Sequence, residues 1–522
     1  MDGEMVLAID VGTTNSKTLL LDCRGRILAK RIIDYPFSIP EVGWAEQDPE
    51  IWWAAVKSSI QHLVADRQKN DIRAIGLSGQ MHGLVALDKD RKVLRPAMLW
   101  NDQRAGRHCQ DIYRLVGGRE KLLSLTNNPM LPGYTGGKIL WLRDNEPAVF
   151  AKIDKVLLPK DFIRYKLTET LGTDFSDASG TGLFDVRHRA WSGELLSILG
   201  IPAEWLVSCC QATEVVGTVS RLAAQDLGLS ENTRVIAGGG DAVVQTIGAG
   251  AAAEDEMLAV IGTGGNITLS MPVCPRNPDS TTQVFCHVLP EKWVAMGVTL
   301  NAGNSLKWFL EALGAEEKAQ AMAAAGNAFE LLAREAEKSS PSAGGLFFLP
   351  YLQGERSPHT DPHARGCFIG LNLRSGKADI VRSIMEGVVF SLYDVFLHIG
   401  SREKGQRKVI LSGGGAESRL WRKIMADVFA AEVVTRDNSQ DASALGAGLL
   451  AGVGVGLWKD VSEAAEGIKA CGKEMPDLET TAVYAKAFDI YRELYARLAP
   501  AFRHIATLDR GKIRGDRCAS GA

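Results

Sequence analysis

The 522-residue sequence lacks the features that mark several classes of protein. No apolar run approaches the roughly 20 residues that a membrane-spanning helix needs, and the N-terminal residues 1–6 do not have the pattern of a signal peptide. The net charge is −3, so the sequence carries no basic excess of the kind that nucleic-acid-binding proteins show. We therefore expect a cytoplasmic protein that binds neither membranes nor nucleic acid.

Cysteine and histidine are also sparse, with nine residues of each. No two cysteines have the Cys-x-x-Cys spacing, and the only neighbours, Cys209 and Cys210, are directly adjacent, so no disulfide framework is predicted. His359 and His363 lie in a predicted loop, but no cysteine spacing completes a zinc site around them. We expect the cysteines to be small buried side chains.

Three common catalytic and nucleotide-binding motifs are missing. The sequence contains no Gly-x4-Gly-Lys-Ser/Thr, which excludes a P-loop nucleotide site. It contains no Gly-x-Ser-x-Gly, because Ser78 is followed directly by Gly79, and this argues against a serine hydrolase. No Gly-x-Gly-x-x-Gly follows the first predicted strand, so a dinucleotide-binding fold is not indicated.

The sequence does contain one strand-turn-strand pattern used twice. Residues 7–21 read LAIDVGTTNSKTLLL, residues 258–270 read LAVIGTGGNITLS, and predicted strands alternate with predicted helices in both halves. A repeat at about 250 residues, in a chain too long for a single core, predicts two copies of one α/β domain. The carboxylate of Asp10 has no counterpart in the second copy, where Ile261 takes its place.

The chain is organised around the stretch from Val235 to Asp241, in which an apolar run ends in three glycines and one carboxylate. Consecutive glycines weaken a regular element, but they allow backbone to approach a ligand closely. One interpretation is that Asp241 only caps a helix that starts at Ala242. The glycines favour the other interpretation, in which Asp241 is a functional carboxylate.

Three glycine-containing turns follow predicted strands. Exposed backbone N–H groups in such turns bind phosphate, and threonine hydroxyls add further donors. One turn alone is weak evidence, but their joint occurrence beside Asp10 and Asp241 predicts a nucleotide site. The turn residues are Gly12, Thr13 and Thr14, then Gly262, Thr263 and Gly264, and finally Gly413, Gly414 and Gly415.

The simplest chemistry for these pieces is phosphoryl transfer from a Mg²⁺-nucleotide to a hydroxyl group. That reaction needs donors around the phosphates, a metal ion and a base that receives the proton of the acceptor. We expect Asp10 to hold Mg²⁺ through water, since Mg²⁺ keeps several waters in proteins. Asp241 would then be the base.

Further motifs match a known family. The sequence resembles the FGGY carbohydrate kinases, which have actin-like, ribonuclease-H-like ATPase folds, and within that family it is most similar to the xylulokinases. The resemblance extends from about Met5 to about Ala451. The matching motifs are Asp10-Val-Gly-Thr-Thr, Trp44-Ala-Glu-Gln-Asp-Pro49, Gly79-Gln-Met-His-Gly83, Leu99-Trp-Asn-Asp102, Leu157-Leu-Pro-Lys-Asp161, Asp174-Phe-Ser-Asp-Ala-Ser-Gly180, Gly238-Gly-Gly-Asp241, Phe348-Leu-Pro-Tyr-Leu-Gln-Gly-Glu-Arg356 and Ser412-Gly-Gly-Gly-Ala416.

This resemblance implies an α/β fold of two actin-like (ribonuclease-H-like) ATPase domains with a catalytic cleft between them. We expect an N-terminal domain with the sugar and phosphate site over residues 1–248, and a C-terminal nucleotide domain over residues 249–455. C-terminal helices and a tail would occupy residues 456–522, with little regular structure from about Asp509 onward. A homodimer is a family expectation.

The resemblance also implies ATP-dependent phosphorylation of a sugar hydroxyl. In the family, the aspartate at the position of Asp241 is the catalytic base, and the pair at Met81-His82 contacts the sugar. The turn at Gly413–Gly415, followed by Ser418, lies against the nucleotide. Asp102 either binds sugar hydroxyls or caps the helix that follows it.

The acceptor implied by the resemblance is D-xylulose, phosphorylated to D-xylulose 5-phosphate. However, the residue after the base is commonly asparagine in xylulokinases and is Ala242 here, so gluconate, another ketose or a polyol are alternative acceptors. An actin-like nucleotide-binding regulator without kinase activity is a further alternative. The presence of both Asp10 and Asp241 argues against that last reading.

Overall fold

The computed structural model of the protein describes residues 3–253, 255–277, 281–399 and 408–515. The chain divides into two compact units, each built from stretches that are not contiguous in sequence. The first unit comprises Met1–Glu254, Ser270–Ala295 and Asp441–Lys469, and the second comprises Asp255–Leu269, Met296–Gln440 and Ala470–Ala522. Each unit contains a mixed β-sheet and packed helices, which confirms the predicted α/β class.

The strands are short to medium in length. In chain order they are β1 Met5–Val11, β2 Asn15–Asp22, β3 Ile27–Asp34, β4 Glu46–Gln47, β5 Ile72–Gly79, β6 Val85–Leu87, β7 Ala97–Met98, β8 Lys155–Leu157, β9 Thr173–Asp174, β10 Phe184–Asp185, β11 Ala190–Trp191, β12 Cys209–Cys210, β13 Val215–Thr218, β14 Arg234–Ile236, β15 Gly239–Gly240, β16 Glu256–Ile261, β17 Gly265–Met271, β18 Gln283–Cys286, β19 Trp293–Thr299, β20 Phe347–Leu349, β21 Cys367–Ile369, β22 Lys408–Ser412, β23 Val433–Arg436 and β24 Ala470–Glu474.

The helices alternate with these strands. In chain order they are α1 Pro49–Val64, α2 Gly106–Val116, α3 Arg119–Thr126, α4 Thr135–Asn145, α5 Pro147–Phe150, α6 Pro159–Thr168, α7 Phe175–Ser179, α8 Gly193–Leu199, α9 Arg221–Leu227, α10 Asp241–Gly248, α11 Gly303–Leu313, α12 Ala315–Ala323, α13 Ala328–Ala336, α14 Lys377–His398, α15 Arg419–Phe429, α16 Ala442–Gly454, α17 Val461–Ala465 and α18 Leu478–Gly515.

The two main sheets share one strand order, which confirms the predicted repeat. In the first unit the order is β3-β2-β1-β5-β14, and in the second it is β19-β17-β16-β22-β23. Strand β1 is antiparallel to β2 and parallel to β5, and β16 is likewise antiparallel to β17 and parallel to β22. The glycine turns predicted from the sequence therefore occupy corresponding positions in the two sheets.

Helix α1 shows how the core of the first unit forms. Asp48 caps the helix through the amide of Glu50, and Pro49 occupies the first turn, where its missing N–H costs nothing. Apolar side chains at helical spacing, including Trp52 and Ile60, are fully buried. The helix packs against β2 and β3.

Helix α16 covers the same sheet near the candidate site. It packs against β1 and β5, and it also packs against α10, the helix that begins at Asp241. The approach is very close, since a Cβ on Gly76 of β5 would lie 1.9 Å from the carbonyl oxygen of Ala447. These contacts place residues 442–454 with the first unit, although they were predicted to belong to the second domain.

The end of the chain differs from the prediction. Helix α18 continues to Gly515, so the loss of regular structure expected from Asp509 is wrong for residues 509–515, and residues 516–522 lie outside the described residues. Pro500 lies within this helix. Of the helices in the described ranges, none combines the length and the apolar character needed to cross a membrane.

We expect Gly76→Ala to destabilise the first unit, because the added methyl group would overlap the Ala447 carbonyl. Overpacking of a tight contact typically costs about 1–3 kcal/mol. Urea unfolding followed by circular dichroism should show a lower urea midpoint for the unfolding of the first unit than in the wild type. Gly193→Ala is the matched control, since a methyl group there meets no atom within 4 Å. Equal midpoints for the two variants would contradict the packing argument.

Candidate functional site

Strand β5 is the centre of the candidate site in the first unit. Its Ser78 pairs with Asp10 of β1 on one side and with Gly239 of β15 on the other. These strands run parallel and lie about 4.8 Å apart, so their carboxyl ends meet at one edge of the sheet, where α/β proteins bind ligands. Asp241 follows β15 and Met81-His82 follows β5, which brings the predicted residues to one edge.

The three glycines before Asp241 are required by close contacts. Gly238 has a φ of +72°, and a Cβ there would lie 2.0 Å from the carbonyl oxygen of Leu77. A Cβ on Gly240 would lie 2.6 Å from the side chain of Met81. At Gly238, only glycine satisfies both the positive φ and the close contact with Leu77. The predicted sugar contact Met81 is therefore packed directly against the residue that precedes Asp241.

Asp241 is the first residue of helix α10. Gly240 is the N-cap of that helix, so the interpretation of Asp241 as the N-cap is wrong. The Asp241 carboxylate accepts a hydrogen bond from the amide of Ala242 at 2.7 Å. Its position at the start of the helix favours the ionised form through the helix dipole.

Two neighbouring carboxylates determine the electrostatics of this edge. Burial, followed by the negative charge of Asp10, raises the pKa of Asp241 to about 8, although the hydrogen bond from Ala242 opposes the shift. Burial also raises the pKa of Asp10, opposed by Ser78 and Lys17. A carboxylate with a pKa near neutrality is a suitable general base.

Asp10 fits the role of a ligand for a hard divalent cation. Its Oδ1 atom is buried and has no hydrogen-bond partner in the described part of the chain. Carboxylate oxygen is the preferred protein ligand of such cations, which take further ligands from water and phosphate. Within the described ranges, no group of three or more His, Cys, Asp or Glu residues could hold a metal ion by itself.

His82 is held in a strained conformation by its surroundings. Its φ is +69°, and its Nδ1 atom lies 2.6 Å from the carbonyl oxygen of Gly180. The imidazole stacks on the ring of Tyr134 with a centroid distance of 4.5 Å. The buried Lys138 donates to the carbonyl oxygens of His82 at 2.9 Å and of Gly133 at 2.7 Å. Strain that the surroundings maintain is common at functional sites.

Lys138 and Tyr134 were missed as functional residues. Neither residue lies in one of the motifs that mark the other site residues. Burial lowers the pKa of Lys138 to about 7, against the opposing charge of Asp102. A lysine inside an otherwise apolar helical segment was the signal that could have identified it, because buried lysines need specific partners.

Asp102 is fully engaged with protein groups. Its buried carboxylate accepts hydrogen bonds from the amide of Ala45 at 2.7 Å and from the guanidinium and amide of Arg104 at 2.7 and 3.0 Å. Arg104 also lies over the ring of Trp44, 3.6 Å from its centroid. We therefore propose that Asp102 holds this loop in place, rather than contacting a ligand or capping a helix.

The turn at Gly12, Thr13 and Thr14 is fixed through its carbonyl groups. The Tyr35 hydroxyl donates to the Gly12 carbonyl at 2.8 Å, Gln47 donates to the Thr13 carbonyl at 3.1 Å, and the Tyr35 amide donates to the Thr14 carbonyl. These hydrogen bonds, together with the one that the Gly12 amide donates to the Asn15 carbonyl at 3.0 Å, hold the glycine-threonine turn in place at the strand end.

The second unit contains a cavity of about 690 Å³. Two turns predicted from the sequence meet there, since Gly262, Thr263, Gly414, Gly415 and Ser418 all line it. The cavity is large enough for a nucleotide, because ligand pockets typically measure about 300–1,000 Å³. Ser418 caps helix α15 through the Trp421 amide at 3.3 Å, so the start of that helix borders the cavity.

Two predicted residues of these turns do not line the cavity. A Cβ on Gly413 would lie 2.6 Å from the Ile261 carbonyl oxygen, and one on Gly264 would lie 2.9 Å from the Thr299 carbonyl oxygen, so both pack against neighbouring backbone. Another wall of the cavity could not be predicted from the sequence, because its residues form no recognisable motif. Its residues are Asn304 and Lys307 of α11, with Asn327, Phe329, Glu330, Ala333, Arg334 and Glu337 of or beside α13.

Comparison with known proteins gives consistent matches along the chain. The N-terminal domain model of the FGGY family of carbohydrate kinases matches residues 5–248, and the C-terminal domain model matches residues 257–455. Xylulose kinase from Escherichia coli is 34% identical over 95% of this chain and 99% of its own, and xylulose kinase from Bacillus subtilis is 36% identical over 94% and 96%.

Two further matches bear on fold and substrate. Gluconokinase from Bacillus subtilis is 30% identical over 97% of this chain and 99% of its own. The crystal structure of ligand-bound xylulose kinase from Lactobacillus acidophilus superposes with a TM-score of 0.89 at 30% identity. That match covers 96% of this chain and all of that one.

We expect Asp10→Asn to lower the pKa of Asp241, because the substitution removes the repulsion that disfavours the ionised form. Carboxyl ¹³C chemical shifts of aspartate-labelled, metal-free protein, titrated with pH, should show a group that titrates near pH 8 in the wild type and at a lower pH in Asp10→Asn. Asp241→Asn should remove that signal and so assign it. A titration of Asp241 below about pH 5, in the ordinary aspartate range, would contradict the electrostatic argument.

Proposed function

Since the chain belongs to the FGGY family of carbohydrate kinases, which use ATP as the phosphate donor, we propose that its acceptor is D-xylulose and its product D-xylulose 5-phosphate. The observation that carries the site assignment is the Asp241 carboxylate with a raised pKa, beside Asp10 and packed next to Met81. The xylulose kinases similar to nearly the whole chain support the choice of acceptor.

Asp241 is the base in this proposal. It accepts the proton of the attacking hydroxyl while the new O–P bond forms and the bond to the leaving ADP breaks. Its pKa of about 8 makes it a stronger base than an ordinary aspartate. With this pKa, Asp241 is mostly protonated in the free enzyme at neutral pH, so activity should rise as the pH increases toward and past 8.

His82 and Met81 hold the sugar. The carbonyl of Gly180 can only accept a hydrogen bond, so the Nδ1 atom of His82 carries the proton in that 2.6 Å contact. In the neutral imidazole, Nε2 is then the acceptor and receives a hydrogen bond from a sugar hydroxyl. Met81, packed against Gly240, supplies an apolar contact beside the base.

The cavity of the second unit holds ATP. The Gly262-Thr263 turn and the start of helix α15 supply N–H and hydroxyl donors of the kind that bind phosphate groups. The sequence ranges 1–248 and 249–455 are proposed as the sugar and nucleotide domains, except that Ser270–Ala295 and the part of the second range from Asp441 onward belong to the first unit. A cytoplasmic location and a homodimer stay predictions.

Mg²⁺ is the metal that we propose for Asp10. The buried Oδ1 atom of Asp10, which has no hydrogen-bond partner among the described residues, would hold it directly or through a water molecule. When bound, the ion neutralises negative charge on the phosphate groups. Asp241 is assigned to the proton because burial and the charge of Asp10 raise its pKa to about 8.

Gluconate is the second candidate acceptor. The relative from Bacillus subtilis named gluconokinase is 30% identical over nearly the whole chain, and Ala242 offers no side-chain amide beside the base. A site that hydrogen-bonds a hydroxyl discriminates strongly against analogues that lack it, whereas a methyl group does not. We therefore expect weak selection at the hydroxyl nearest to Ala242.

A coupled ADP-release assay tests the acceptor. The panel contains D-xylulose, L-xylulose, D-ribulose, xylitol and D-gluconate, each with ATP and Mg²⁺. We expect the highest kcat/KM with D-xylulose, with a modest preference over its epimer D-ribulose and its enantiomer L-xylulose. A highest kcat/KM with gluconate would contradict D-xylulose as the acceptor but would still support kinase activity. ADP release at the same rate with and without every acceptor would contradict both the acceptor and the kinase activity.

We expect Asp241→Asn to abolish most turnover and to leave ATP binding intact. General-base catalysis is typically worth about 10²–10⁴-fold, and the amide cannot accept the proton. Asp226→Asn is the matched control, because that carboxylate is exposed on the same unit and pairs only with Lys57 in the described salt bridges. Retention of more than about a tenth of wild-type kcat would remove Asp241 as the base.

A further inference from the structure

The segment from Asp174 to Gly180 is a buried element that the proposed chemistry has not used. It begins with the short strand β9 and continues as helix α7, and its side chains at Asp174, Ser176 and Asp177 have at most 1% exposure. Buried polar residues at this density are unusual, because each needs compensation for lost hydration. The hydrogen bonds of this segment therefore indicate what it holds in place.

Ser176 connects the segment to the base. Its Oγ atom accepts a hydrogen bond from the amide of Gly240 at 3.0 Å, in the Gly239–Gly240 peptide, one residue before Asp241. The same hydroxyl donates to Oδ2 of Asp174, which also accepts the Ser176 amide at 2.7 Å. The hydroxyl therefore has one donor and one acceptor, and its orientation is determined by both.

Asp174 is in turn held by a buried ammonium group. Nζ of Lys160 lies 3.0 Å from Oδ1 of Asp174, 2.6 Å from Oδ1 of Asp161 and 3.5 Å from Oδ2 of Asp177. Burial alone would lower the pKa of Lys160, but these carboxylates raise it. Burial raises the pKa of Asp177, opposed by Lys160 and reinforced by the other carboxylates. Such a cluster resists displacement, because breaking a buried ion pair is costly.

The other end of the segment reaches the sugar contact. The carbonyl oxygen of Gly180, the residue after α7, lies 2.6 Å from Nδ1 of His82. A Cβ on Gly180 would lie 2.6 Å from the same atom, so the contact requires a glycine. The five-residue helix α7 is thus bonded near its start, through Ser176, to the Gly239–Gly240 peptide. At its end it is bonded to His82 through Gly180, the residue that follows it.

We propose that Ser176, oriented by Asp174 and Lys160, is a positioning residue that fixes the Asp241 carboxylate for proton transfer. The inference rests on the proposed role of Asp241 as the base. Ser176 acts through the Gly240 amide, because rotation of the Gly239–Gly240 peptide would displace Asp241, the first residue of α10. A misplacement of about 1 Å at a reacting group can cost about 10²-fold in rate.

Ser176→Ala and Ser179→Ala form a matched pair of variants. Both hydroxyls are buried on α7, and both accept a backbone N–H, from Gly240 at 3.0 Å and from Cys286 at 3.0 Å. Each also donates to a neighbouring acceptor, Asp174 for Ser176 and the Phe175 carbonyl for Ser179. Each variant loses one accepted and one donated hydrogen bond, and the bond to the Asp174 carboxylate makes the loss of stability larger for Ser176→Ala. Of the two hydroxyls, Ser176 is the one that bonds to the peptide next to the base.

The kinetic test measures kcat and KM for both variants with the best acceptor of the wild-type enzyme. We expect Ser176→Ala to lower kcat by about 10–100-fold while KM for ATP stays unchanged. Ser179→Ala should keep kcat within about threefold of wild type. Ser176→Thr, which retains the acceptor oxygen, should restore at least part of the loss. An equal effect of the two alanine variants on kcat would overturn the proposal.

Hydrogen exchange provides a readout that does not need enzyme activity, and its wild-type measurement does not need a variant. The Gly240 amide of the wild-type protein should exchange slowly, as a buried and bonded N–H does, and Ser176→Ala should accelerate it selectively. Rapid exchange of this amide in the wild type would overturn the proposal even if Ser176→Ala does not fold. If Asp241→Asn were fully active, the role of Asp241 would fail instead. A normal Ser176→Ala beside an inactive Asp241→Asn would refute this inference alone.

Discussion

The parallel pairing of β1 and β15 with the two sides of β5 is the constraint on which the site in the first unit depends. Through Ser78, this pairing brings Asp10 and the Gly239-Gly240 peptide to one sheet edge. Strand spacing in a sheet leaves little freedom in such a placement. Helix α10 must then start beside β5, and glycine is required where its backbone meets Leu77 and Met81.

Placing two carboxylates at one edge is electrostatically unfavourable for the free protein. The charge of Asp10 contributes to the raised pKa of Asp241, and a rigid scaffold must hold both groups against this repulsion. Helix α16 packed on the sheet and the buried groups around Lys160 supply that rigidity. The arrangement is intelligible for a kinase, because a metal ion, phosphate groups and a proton all interact with these charges during turnover.

Predictions that rested on local patterns agreed with the structure. Helix α1 follows from its cap and apolar spacing, and the two copies of the strand-turn-strand pattern have the same strand order. Local patterns left two interpretations open for Asp241 and for Asp102, because they do not show the partner of a polar group. Asp241 does not cap its helix, and the Asp102 carboxylate binds Arg104 and the Ala45 amide. The sequence pattern did not show that Gly264 and Gly413 pack away from the cavity.

By itself, the sequence determined the class of fold, the duplicated element and the presence of a carboxylate after three glycines. These properties are local, since periodicity and backbone freedom are set by neighbouring residues. Only the tertiary structure decided which buried groups meet. Ala45 is 57 residues from Asp102, and Ser176 is 64 residues from Gly240. Their pairing follows from desolvation in a packed interior, where every polar group must find a partner, and no local pattern specifies that partner.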